Sequence, residues 1–190
     1  MMGFMISNFL YLVIKIDACY FVLMDGIMPF SENLIPLSEK KLIYGVKDKP
    51  GIFVKAFPFI TTNKNDILME IELQNIGAHL GLSPPILNTY EDQQHYYIVM
   101  KRIKGMSLAD YYGENKMDIP NWVWKELHRI IRELFINGIE YIDITPYNFL
   151  IEDETEKIYV VDYGHAKKVH MNWFVQDFLN GIKQWNPDFA

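Results

Sequence analysis

The sequence has little sulfur to cross-link and no surplus of positive charge. A single cysteine, Cys19, in 190 residues excludes an internal disulfide and any metal site built from several thiolates. It suits a reducing, intracellular setting, which makes the cytoplasm the expected location. Lysine and arginine together number 18 against 24 aspartates and glutamates, for a net charge of −6. No run of five like charges occurs, so the basic face that nucleic-acid recognition requires is not expected. Arginine is reduced to Arg102, Arg129 and Arg132. Repeats and low-complexity tracts are absent. What the chain does have is apolar material: half of its residues are hydrophobic and 15% aromatic. That is enough for one compact core, or for two small lobes that share one.

The apolar run at the start is interrupted. Phe4 to Ile14 is nearly all hydrophobic and Ala18 to Met24 resumes the pattern, but Lys15 and Asp17 stand between them. Each charge near the middle of a span costs about 2.5–3.5 kcal/mol on insertion scales. No basic leader or small-residue cleavage site marks a secretory signal. A membrane span is therefore disfavoured. A strand or helix packed on the following domain remains open, as does a stretch upstream of a natural start at Met24 or Met28. Residues 1–28 are set apart as an apolar segment, and a single domain is placed at 29–190.

From Lys40 the pattern is legible. Lys40 to Lys47 and Ile52 to Phe57 read as a hairpin joined by the turn Asp48-Lys49-Pro50-Gly51, with Lys55 on its second strand. Asn63 to Leu80 reads as a helix stopped by Gly81, with Met69, Leu73, Ile76 and Leu80 on one stripe and Ile67, Ile71 and Ala78 on another. At about 100° per residue Glu70 falls between the stripes and points inward, whereas Glu72 lies on the polar face. Strands follow at Ile86–Tyr90 and Tyr96–Met100, then a connector to Gly105 and a short helix capped by Ser107. Residues 121–136 form a strongly amphipathic helix that ends at Asn137-Gly138. A loop, Tyr141 to Asn148, leads into strands at Phe149–Ile151 and Ile158–Val161. Trp173 to Trp185 reads as one last helix.

A strand lysine, an inward helix glutamate, a hinge, a long helix and a loop-hairpin-loop follow one another in an order that resembles the protein-kinase-like superfamily. The motif that carries the resemblance is Tyr141-Ile142-Asp143-Ile144-Thr145-Pro146-Tyr147-Asn148, similar to H-R-D-x-x-x-x-N, with Asp162-Tyr163-Gly164 in the place of D-F-G. Alone, an Asp and an Asn in a loop usually do no more than make turns. Their spacing within this order of elements gives them weight.

The resemblance implies an α+β bilobal fold: a small antiparallel β N-lobe (about 29–100), a hinge (about 101–105) and a truncated helical C-lobe (106–190). It implies ATP and Mg²⁺ as cofactors, with Asn148 and Asp162 as metal ligands and Asp143 acting on the acceptor hydroxyl. Phe53-Val54-Lys55 resembles the strand lysine motif, so Lys55 is expected on the phosphates and paired with Glu70. Met100 would be the gatekeeper, and backbone groups of Lys101 and Ile103 would meet adenine. Asp177 resembles the helix aspartate that braces the catalytic loop.

Some features depart from the pattern. No G-x-G-x-x-G precedes the hairpin, where Ser31 to Ser38 stands instead. Tyr141 and Ile142 replace His and Arg of H-R-D, Thr145 replaces the usual lysine, and 26 residues follow Gly164, too few for the large C-lobe that seats peptides. Thr145 in place of that lysine is similar to small atypical kinases of the tRNA-modification-complex, RIO and lipopolysaccharide-kinase types. The expected function is an atypical serine/threonine protein kinase acting on a protein substrate or with an activating protein partner. A small-molecule kinase and a nucleotide-binding pseudokinase scaffold are the alternatives.

Overall fold

A computed structural model describes residues 31–37, 42–168 and 170–189. The segment 1–28 set apart above lies outside the described residues. After a short 3-10 helix at Ser31–Asn33 come five strands. They are β1 (Leu34–Pro36), β2 (Ile43–Val46), β3 (Lys49–Pro58), β4 (Ile86–Glu91) and β5 (His95–Lys101), in one antiparallel sheet ordered β1-β2-β3-β5-β4. The β2–β3 hairpin is present, but its turn is Lys47-Asp48, a few residues before the expected Pro50-Gly51. Val46 pairs with Lys49, and the register shifts between Gly45 and Val46. Pro50 falls in the resulting bulge, where a residue without an N–H forfeits no ladder bond.

Strand alternation sets what β3 presents to each side. Phe57 and Phe53 join the cluster of Ile67, Ile71, Tyr96, Ile98 and Met100 beneath the sheet. Val54 and Ile52 join Val46 and Val99 on the other face. Lys55, between two phenylalanines in the period of two, is thereby aimed at the helix that covers that face, α1 (Lys64–His79).

Asn63 caps α1, its side chain accepting from the Asn65 amide at 2.9 Å, and Gly81 at φ +70° follows its end. The expected stripe is partly wrong, because Met69 is exposed. The buried positions are Ile67, Glu70, Ile71, Leu73, Gln74 and Gly77. Ile67 and Ile71 sit under the sheet while Leu73 joins the second, larger core. One helix thus ties the two cores together.

That second core is built on α3 (Asn121–Ile136), which has the expected bounds and buries Val123, Trp124, Leu127, Ile130, Ile131 and Leu134. Burying each such side chain is worth roughly 1.5–3 kcal/mol. Around it lie α2 (Leu108–Tyr112) and the small sheet of β6 (Gly105–Ser107), β8 (Phe149–Glu152) and β9 (Ile158–Val160). A second pairing joins β7 (Ile139–Glu140) to β10 (Lys167–Lys168). The last helix, α4 (Trp173–Leu179), is shorter than the expected Trp173–Trp185. It stops at Asn180, ahead of Gly181 at φ +103°. Trp185 lies in the irregular segment beyond, packed on Trp124 with ring centroids 4.6 Å apart. The architecture is the expected α+β one, with a small antiparallel sheet that ends at Lys101 and a short, mainly helical part after it. Among the described residues no helix is long and apolar enough to cross a membrane.

Candidate active site

The hairpin β8–β9 brings the loop residues together. Beyond the paired register, Val161 N donates to Asn148 O at 2.9 Å, so the two ends of the hairpin, Asn148 and Asp162, come out side by side. Asp162 has φ +60°, a left-handed backbone that a side chain makes costly, and it turns the carboxylate back toward the sheet. There Lys55 Nζ lies 2.9 Å from Asp162 Oδ1 and 2.7 Å from Glu70 Oε1. Three elements far apart in sequence meet at one ammonium.

Glu70 is almost fully buried, with 5% of its side chain exposed, whereas Lys55 is 19% and Asp162 47% exposed. Burial by itself would lower Lys55, but Glu70 and then Asp162 outweigh it and hold the ammonium above the ordinary lysine range. Burial pushes the Glu70 carboxyl up, against the pull of Lys55. For Asp162 burial also pushes upward, yet the Lys55 charge, its hydrogen bond and the Gly164 amide at 3.2 Å prevail and leave it below the usual carboxylate range.

Asp143 and Asn148 form the other end of the site. Asn148 Nδ2 donates to Asp143 O at 3.1 Å, and Thr145 Oγ1 lies 3.2 Å from Asp143 Oδ1. Partial burial raises the Asp143 carboxyl above its ordinary value, while Asn148 and Thr145 pull the other way. The flanking Ile142 and Ile144 are buried in the larger core. Asp143 is therefore held between two apolar anchors while its own side chain stays partly open.

Beyond the end of β5 at Lys101, residues 102–104 connect the sheet to β6. Met100 is buried, with Gln74 Nε2 3.7 Å from its sulfur. The Lys101 amide donates to Pro85 O at 3.0 Å. Among the described residues the Ile103 N–H and carbonyl take no part in a backbone hydrogen bond.

Several residues of this site went unread in the sequence. Gln74 and Gly77 share with the expected Glu70 one buried stripe of α1 that faces the site and not the solvent. Gln74 Nε2 donates to Pro84 O at 3.2 Å. Gly77 leaves room for the buried Tyr163 hydroxyl, which would sit 2.1 Å from a Cβ placed there and is bonded to Ser83 Oγ at 2.6 Å. Tyr141, where the motif has histidine, reaches Val161 O at 2.6 Å and Asp162 O at 3.1 Å through its hydroxyl, linking the two loops. Asp177 is exposed and does not brace the Asp143 loop as expected. The brace is Asn186, which donates from Nδ2 to Ile142 O at 2.7 Å and from its amide to Ile144 O at 2.9 Å. A polar stripe and a lone asparagine after a broken helix carry no apolar periodicity, the one signal that could have flagged them.

Comparison with known proteins follows the same geometry. Residues 54–183 match the family model described as protein kinase domain. The chain is 28% identical over 103 residues to the serine/threonine-protein kinase RAD53 of Saccharomyces cerevisiae, covering 52% of this chain and 12% of that protein. It is 29% identical over 121 residues to the serine/threonine-protein kinase PrkC of Bacillus subtilis, covering 60% and 18%. It thus spans less than a fifth of the length of either relative. Among solved structures it is similar to the kinase PK-1 of Cydia pomonella granulovirus, with a TM-score of 0.55 at 16% identity, over 74% of this chain and 54% of that one. The family match starts next to Lys55 and runs through the Asp143 loop to α4, more than half of the chain, and on that ground the chain belongs to the protein kinase domain family.

Proposed function

We propose that this chain is an ATP-dependent phosphotransferase, an atypical serine/threonine protein kinase that moves the γ-phosphoryl group of Mg-ATP to a protein hydroxyl. One observation carries the reading: the Lys55 ammonium is held between Glu70 and Asp162 while Asp143 and Asn148 stand at the neighbouring end of the same hairpin.

The donors present fit the cofactor. Asp162 offers a half-exposed carboxylate with only Oδ1 engaged by Lys55 and Gly164. The Asn148 amide nitrogen is turned to Asp143 O, which presents its carbonyl oxygen for a cation. Hard oxygen donors from one or two side chains, completed by phosphate and water, are what Mg²⁺ accepts. When bound, Mg²⁺ supplies charge neutralisation on the phosphates. Lys55 binds phosphate oxygens with an ammonium that Glu70 keeps in place. The Lys101 carbonyl and Ile103 backbone groups read the adenine edge beside Met100. Asp143 orients the acceptor hydroxyl and takes its proton as the oxygen–phosphorus bond forms and ADP departs. The two relatives named serine/threonine kinases support a protein acceptor.

Transfer of labelled γ-phosphate by wild type and by Asp143→Ala tests the proposal. Label on protein that vanishes in the variant is the expected result. Label confined to a small metabolite would point to a small-molecule kinase. Nucleotide binding without transfer would point to a scaffold, the reading that the three-residue strand β1 and the missing glycine-rich loop favour.

A further inference from the structure

We infer that Asn186 is a positioning residue for Asp143, and that the irregular segment 182–189 is part of the active site and not a tail attached to it. The inference rests on the kinase reading for the role of Asp143, but not for the contacts that carry it.

Asn186 is fully buried, and both its bonds to the Asp143 loop run outward from nitrogen: Nδ2 to Ile142 O at 2.7 Å and the backbone amide to Ile144 O at 2.9 Å. These two carbonyls flank Asp143 on either side. Its remaining polar atom, Oδ1, accepts from the Asp188 amide at 3.1 Å, so both polar atoms of the side chain are engaged. The polarity matters. A carbonyl needs a donor, and an ionised carboxylate has none, so the job is one that asparagine can do and aspartate at high pH cannot.

The segment that carries Asn186 is itself fixed at several points. Trp185 packs on Trp124 of α3, and its Nε1 donates to Glu114 O at 2.9 Å. Lys183 Nζ reaches Asn121 Oδ1 at 2.8 Å. The Phe189 ring lies 5.0 Å from His165, three residues after Asp162. Asn186 therefore transmits the rigidity of α3 to the backbone on both sides of Asp143. Its loss should displace the acceptor-side carboxylate while leaving Lys55, Glu70 and Asp162 where they are.

The test compares wild type, Asn186→Ala and Asn186→Asp. Misplacement of a reacting group by about 1 Å can cost roughly 100-fold, so Asn186→Ala should lower kcat by about 10–100-fold, with KM for Mg-ATP within about threefold. In Asn186→Asp a protonated carboxyl can still donate, so its activity relative to wild type should fall as pH rises from about 6 to 9, whereas the alanine variant keeps a flat ratio. Hydrogen exchange read by mass spectrometry should show faster exchange in residues 142–148 of Asn186→Ala, with α3 unchanged. Wild-type kcat in both variants, or unaltered exchange in the loop, would overturn the inference. So would parallel loss of kcat and ATP binding with faster exchange throughout, which is the mark of a merely structural role. Should wild type transfer no phosphate, the kinase reading fails by itself, and the exchange measurement still decides whether Asn186 holds the loop.

Discussion

The two ends of the site are held by different forces. Lys55, Glu70 and Asp162 are held by charge, and their partners lie 15 and 107 residues apart in the sequence. Asp143 and Asn148 are held by hydrogen bonds within five residues, together with the donors of Asn186. The first group exists only when the sheet, α1 and the Asp162 loop meet, whereas the second is assembled wholly within the helical part. The charged end should therefore respond to neutralisation and to pH, and the loop end to the loss of a donor.

The sharpest break in this contrast is Asp162→Asn, which removes the one anionic side chain proposed for the metal. The Mg²⁺-dependent part of the thermal shift by ATP should disappear while the circular dichroism spectrum stays native. A Mg²⁺-dependent shift of wild-type size would place the metal elsewhere.

Lys55→Met comes next. It strands a buried Glu70, and because Lys55 is itself partly exposed the cost should be about 1–3 kcal/mol, below that of a fully buried pair. Glu70 then titrates higher in the folded than in the unfolded state. Since the native form holds its proton longer, stability falls as pH rises from the unfolded value through the folded one. The deficit against wild type, read by urea unfolding, should be larger at pH 8 than at pH 5. Equal deficits would mean that Glu70 finds another cation.

Gly77→Ala probes the seam between the two ends, since a methyl there meets the Tyr163 hydroxyl. Overpacking of this kind costs about 1–3 kcal/mol, and Tyr163→Phe should recover part of it in a double-mutant cycle. Additive losses would show that the two residues do not press on each other.

The smallest expected effect is none at all. Ile142 stands where a phosphate-reading arginine would be. Lys168 is instead paired with Glu72 of α1 at 3.0 Å, an exposed contact worth little in stability but independent of any modification. Phosphatase treatment should leave phosphotransfer unchanged. Loss of activity restored by rephosphorylating this chain would contradict that.

Much of this was legible in the sequence because apolar periodicity reports what faces a core. α3 emerged with its observed bounds, and Glu70 was placed inward by angle alone. The same rule misread α1 where its site-facing stripe is polar or small, at Gln74 and Gly77. The β2–β3 turn was misplaced because Pro-Gly is a strong turn signal, yet here it sits in a bulge. Asn186 could not be read at all. Its partners lie 44 and 42 residues away on backbone carbonyls, which every residue type possesses.

Tyr141 carries one more consequence. An imidazole at that position would have two nitrogens, a choice of tautomer and a protonation midpoint close to neutrality. The phenol has a single proton to give, and its burial among Phe149 and Tyr163, with the negative charge of Asp162 nearby, lifts its ionisation well above the ordinary tyrosine value. The joint between the Asp143 and Asp162 loops therefore keeps one chemical form across the range in which cells live. As acidity changes, it is a hinge pin that does not corrode.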